Sequence, residues 1–173
     1  MKKLLIIALV IYGFYQYLKW QPSTSSIVKE MSFSEQLSFN GVVYYSDWVN
    51  ELESITGYVR RIDRHYDENI PIITFDLVMT SGDFSDPNLV RVKHRGGGNY
   101  FWSSDKQAKG SIIFYHTVPN SALAQSKLDS LKAGASVTIL AKVSGNNEIK
   151  ASNGAFFELV HSNHKIIRVE DIK

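Results

Sequence analysis

Cysteine is absent from these 173 residues, which removes disulfide frameworks, thiolate metal centres, cysteine nucleophiles and acylated-cysteine anchors together. Proline is scarce at four, and eleven glycines are too few for a disordered or collagen-like chain, so a folded domain is expected. Charge of one sign is lacking too. The formal net charge is +2, and setting aside Lys2, Lys3 and Lys19 leaves 16 basic against 17 acidic residues. A near-neutral domain has no whole-molecule field for phosphate, so any nucleic-acid contact has to be local. Catalytic signatures are missing as well: no G-x-S-x-G elbow, no H-E-x-x-H, no phosphate-binding loop and no strand-linked G-x-G-x-x-G. What remains of catalysis is a non-sequential site, a histidine beside a carboxylate in a deep pocket. No cofactor is expected.

What is present first is an apolar run. Lys2 and Lys3 precede Leu4 to Tyr15, which fades through Gln16 and Leu18 into Lys19 and Trp20. At about 1.5 Å per helical residue it falls a little short of the roughly 30 Å hydrocarbon core, a gap that lysine stems and a Tyr/Trp belt can cover. Tyr17 to Pro22 has no small residues for signal cleavage. The expectation is an uncleaved transmembrane anchor over 1–20. The positive-inside rule puts its N-terminus in the cytoplasm and the domain on the extracytoplasmic side, the periplasm in a Gram-negative cell. Residues 21–52 read as a juxtamembrane linker and a short β/helical extension. That stretch holds Pro22 to Ser26, a short helix around Ser34 to Leu37, β-prone Val42 to Tyr45, and a helical turn Asp47 to Leu52 capped by Ser46.

The main domain, 53–173, is mainly β. Ile55 to Ile62 and Ile70 to Met79 are β-branched and aromatic, the second alternating Ile73, Phe75, Leu77, Met79 against Ile72, Thr74, Asp76, Val78. They pair through the polar turn Asp63 to Asn69. Leu89 to Lys93 and Gly110 to Val118 continue the pattern, separated by a glycine-rich loop over Arg95 to Lys109. Periodicity then switches to 3.6 in a helix from Ser121 to Lys132, capped by Asn120, with Leu123, Ala124, Leu128 and Leu131 on one face and Gly134 as its stop. Ala135 to Val143, Glu148 to Lys150, Phe156 to His161 and Lys165 to Val169 return to strands.

Three strand groups, a helix, then two more strand groups resembles the OB-fold, a small five-stranded β-barrel, over roughly Ile55 to Val169. The stretch Leu131 to Ile139 is most similar to that fold's helix-to-strand transition. The resemblance implies a ligand face on the central strands flanked by loops, for an oligonucleotide, an oligosaccharide or a protein.

The candidate ligand-binding residues are Arg91, Lys93, Arg95, Tyr100, Phe101 and Trp102, with Arg60 and Arg61 at the end of the first strand. Cations to pair with phosphate, glycines that expose backbone N–H groups and adjacent aromatics that can stack are the ingredients of single-strand recognition. The competing reading is a hairpin whose aromatics pack under the barrel. His161 and His164 have a metal-compatible spacing with Glu158 nearby, but between strands a polar turn is expected and no metal. His116 reads as a half-buried strand residue, and Asp83 with Asp86 as a β-turn.

The function expected first is a membrane-anchored, non-catalytic module that binds a protein or envelope ligand through its sheet face or loops. The alternative is a single-stranded nucleic-acid binder, such as an accessory factor in DNA transfer, which requires the hairpin residues to converge on one surface. An enzyme with an unrecognised site is the third.

Overall fold

The computed structural model describes residues 44–66, 72–96, 99–152, 154–159 and 163–173. The expected anchor over 1–20, the Pro22 linker, the helix around Ser34 to Leu37, and His161 lie outside the described residues. Among the described residues, no helix is long and apolar enough to cross a membrane.

Ten strands and one α-helix are described: β1 (Tyr44–Tyr45), β2 (Glu53–Tyr66), β3 (Ile73–Gly82), β4 (Val90–Gly96), β5 (Asn99–Ser104), β6 (Gly110–Pro119), α1 (Ala122–Ser130), β7 (Ser136–Val143), β8 (Glu148–Ala151), β9 (Phe156–Glu158) and β10 (His164–Ile172). Five of them close a barrel in the order β10-β6-β3-β2-β7. Every barrel pairing is antiparallel except β6 with β10. With α1 between the third and fourth barrel strands, this is an OB-fold-like small barrel.

Alternation builds the barrel interior. Ile73, Phe75, Leu77 and Met79 point inward with Val59, Tyr115, Val137, Ile139, Ala141, Ile167 and Val169, and Ala124 and Leu128 of α1 join them. The helix is capped by Ser121, whose Oγ accepts from the Ala124 amide, rather than by Asn120. Leu123, expected on its apolar face, is exposed, because the buried face runs through Ala124, Gln125 and Leu128.

A second apolar layer sits outside the barrel. Ile72, Val118 and Ile166 pack with Ile149, and Trp48, Ala155, Phe157 and Leu159 lie against them. Ile149 and Phe157 belong to a three-stranded sheet, β1-β8-β9, and pack on the outer-face residues Val118 of β6 and Ile166 of β10. The expected helical turn after Ser46 is not formed. Ser46 Oγ instead donates to the Glu148 carbonyl and lies 2.8 Å from Ser144 Oγ, and Trp48 bridges Ser144, so the extended chain there is tied into the domain.

Candidate nucleic-acid interface

The stretch expected to be a glycine-rich loop is largely a β-hairpin, because Val90 to Lys93 and Tyr100 to Trp102 are β-prone on both sides of Gly96 to Gly98. Residues opposite each other in an antiparallel pair share a face. Arg91 opposes Ser103 and Lys93 opposes Phe101, while Val92 opposes Trp102 and His94 opposes Tyr100. The three aromatics therefore divide between two faces.

The outward face carries Arg91, Lys93 and Phe101, all exposed, with Phe101 at 55%. Arg95 joins them: it sits at the register shift between His94 and Gly96, and its guanidinium lies 4.4 Å from the centre of the Phe101 ring. Neither strand of the hairpin contains an acidic residue. The inward face rests on the barrel. Tyr100 is half-buried, its hydroxyl donating to the Ile112 carbonyl (3.4 Å) and accepting from Asn163 Nδ2 (3.0 Å). Burial pushes its pKa up from 10.0, against the lowering effect of the Asn163 hydrogen bond, so the phenol stays a neutral donor. Trp102 meets Phe84 edge-on at 5.0 Å and remains 50% exposed. Sequence reading missed Phe84; an aromatic inside the polar run Ser81 to Asp86, which forms a 3-10 turn over Asp83–Ser85 rather than a simple β-turn, was its one signal.

Arg60 and Arg61 reach the same region by a β-bulge. The β2–β3 register shifts between Val59 and Arg61, so that Arg61, not Arg60, opposes Val78. Val59 is inside the barrel, and a regular strand would send Arg60 out and Arg61 back in; the extra residue turns both outward. Arg60 Nη2 donates to the Val90 carbonyl at 3.1 Å, pinning the base of the hairpin, and Arg61 pairs with Asp63. Together Arg60, Arg61, Val78, Val92 and Tyr100 line a cleft of about 280 Å³ between hairpin and barrel.

The central strand face on which OB-folds carry ligands is closed in this chain. On the outer face of β3, β6 and β10, Val78, Phe114, His116, Val118, His164 and Ile166 are all buried. His116, expected half-buried, is 2% exposed; its Nδ1 lies 2.9 Å from Asp76 Oδ1 and its ring packs 4.4 Å from that of Phe157. A histidine beside a carboxylate is present, then, but under an aromatic lid and not in the cleft between hairpin and barrel. His164 is buried against Phe114 and Tyr100, and no group of three potential metal ligands occurs among the described residues.

No protein-family model matches the chain, and no curated protein matches it. Among solved structures it is similar to the mitochondrial single-stranded DNA-binding protein from S. cerevisiae, at 14% identity over 71% of this chain and 91% of that one, with a TM-score of 0.34. It is also similar to the small single-stranded DNA-binding protein from Streptomyces coelicolor, at 15% identity over 71% and 91%, with a TM-score of 0.35. The expectation of a module that binds a protein or envelope ligand through its sheet face is corrected, because that face is covered by the chain's own Trp48, Ile149 and Phe157. Which ligand this chain takes is a matter for its own side chains.

Proposed function

We propose that this domain binds single-stranded nucleic acid on the outward face of its β4–β5 hairpin. The observation that carries the reading is the grouping of Arg91, Lys93, Arg95 and Phe101 on one exposed face of two strands without an acidic residue. In a near-neutral domain this is a local concentration of positive charge around a ring. Phosphates pair with the cations, and an unstacked base lies on Phe101 and the guanidinium over it. Arg91 and Lys93 make no ion pair among the described residues, so engaging phosphate breaks no existing bridge. With the barrel's central face closed, the hairpin is the ligand-facing surface that the fold leaves open.

Fluorescence anisotropy of a labelled oligothymidylate, titrated with the full chain at several salt concentrations, tests this. Salt-sensitive binding that an Arg95→Ala, Phe101→Ala double variant loses is expected; salt-independent binding, or none at low salt, sinks the reading. We also propose that residues 1–20 hold the domain at a membrane by way of the stretch that leads to β1. Recovery of the full chain in the soluble fraction after cell lysis would rule that out.

A further inference from the structure

The cleft between hairpin and barrel contains two guanidiniums and a half-buried tyrosine, although one cation would satisfy the hairpin's need for an anchor. Arg60 serves that need through one Nη2 hydrogen bond to the Val90 carbonyl, which leaves most of its five N–H donors uncommitted among the described residues. Among the described residues Arg61 is bound only to Asp63, and with both side chains nearly half exposed the pair is of the kind worth little in water. A bulge that turns consecutive arginines to one face is a device for placing charge, and bulges re-aim side chains beside binding sites.

We propose that this cleft is an end-binding pocket, which takes the phosphorylated terminal nucleotide of a single strand between Arg60, Arg61 and Tyr100. The inference rests on the nucleic-acid reading of the hairpin. Three features distinguish a terminus from the middle of a strand. The cleft, about 280 Å³, lies just below the usual range for ligand pockets, a size for one nucleotide and not a run. A terminal phosphomonoester carries roughly −1.5 to −2 charges at neutral pH, against a single charge on an internal phosphodiester, and two planar guanidinium forks match the former. The hairpin is also fastened to the barrel at two points, by Arg60 to the Val90 carbonyl near its base and by the Tyr100 hydroxyl to the Ile112 carbonyl toward its tip. A strand can pass beneath a span fastened at both ends only end-first.

Asp63 sets the affinity of the empty pocket. Its carboxylate occupies Arg61 until phosphate displaces it, and once displaced it repels the incoming anion. Removing that charge should therefore strengthen the site, a gain that a merely structural role for the bulge does not predict.

The test compares short oligothymidylates bearing a phosphate at the 5′ end, a phosphate at the 3′ end or hydroxyls at both, and a closed circular strand, each against the full chain. Binding about tenfold tighter for one phosphorylated end, the worth of one hydrogen-bonded charge, is expected, and which end shows it identifies the polarity. Arg61→Gln should bring the ratio of phosphorylated to hydroxyl affinity to about one, and Asp63→Asn should raise it. If the wild-type chain binds all four alike, the end pocket is refuted while the hairpin reading stands. If it binds none, both fall. If Asp63→Asn leaves the ratio where it was, the arginines are holding the hairpin and nothing more.

Discussion

Replacing Lys93 by alanine removes one of the three cations on the outward face of the hairpin, and its effect can be worked out before measurement. Each phosphate neutralised on a single strand contributes about −0.7 to the slope of log K against log salt. Arg91, Lys93 and Arg95 together give a slope of about −2, so an approximately fourfold rise in salt should weaken binding about 20-fold. Without Lys93 the slope drops to about −1.4 and the same rise costs about 7-fold. The side chain is exposed and unpaired among the described residues, so the substitution leaves no buried group orphaned and should not move the unfolding midpoint. The assay is an anisotropy titration at four salt concentrations, with Lys132→Ala as a charge-matched control on an exposed lysine beyond α1. An unchanged slope for Lys93→Ala, or an equal drop for Lys132→Ala, would refute a local phosphate contact and return the charge to the solvated surface.

Phe101→Ala should cost about 1–3 kcal/mol of binding if a base stacks on that ring, with Phe101→Trp retaining affinity; equal loss in both would mean that the ring is no platform. Gly110 has a φ of +124°, and a Cβ there would fall 2.1 Å from the Ser81 carbonyl oxygen, so Gly110→Ala should destabilise the domain by at least about 1–3 kcal/mol in urea unfolding. An unchanged midpoint would show that the β3–β6 junction is looser than described. Burial, with a smaller contribution from the charge of Glu53, pushes the Tyr115 hydroxyl up to about 12. The unfolded chain gives up that proton nearer pH 10, so this contribution to stability is complete below pH 10 and is lost as pH rises through about 12. Tyr115→Phe should flatten that alkaline limb, and an identical limb in the variant would assign it to other groups.

The barrel was largely legible in the sequence. The alternation of Ile73, Phe75, Leu77 and Met79 set the inward face of β3, and the switch from period 2 to period 3.6 near Ser121 placed the helix at the position that an OB-fold-like barrel requires. The hairpin was half legible: Leu89 to Lys93 alternates as a strand does, but three consecutive glycines put Tyr100 to Trp102 in a loop. The bulge was not legible, because Val59-Arg60-Arg61-Ile62 reads as a strand with one arginine out of place, and only pairing with Val78 shows which. Nor was the covered face, though a cue existed. Ile112 to Val118 is apolar at both parities apart from His116 and Thr117, the mark of a strand buried on both sides. What buries it comes from Trp48 and Phe157, more than 100 residues apart, a pairing that periodicity cannot express.

β10 is the piece that turns a curved sheet into a barrel, since it alone pairs with both β6 and β7. A ribosome makes it after the other four barrel strands. Until residues 164–172 have emerged, β6 and β7 each present a bare row of backbone donors and acceptors, and the inner faces of β2, β3 and β6 have no opposite wall. Closure thus waits on β10 and joins it to segments tens of residues upstream, slow by the standard of local contacts and open to edge-to-edge association with a neighbouring nascent chain while it waits. The cell's exposure to misfolding of this domain is concentrated in the interval between the release of β10 and its insertion.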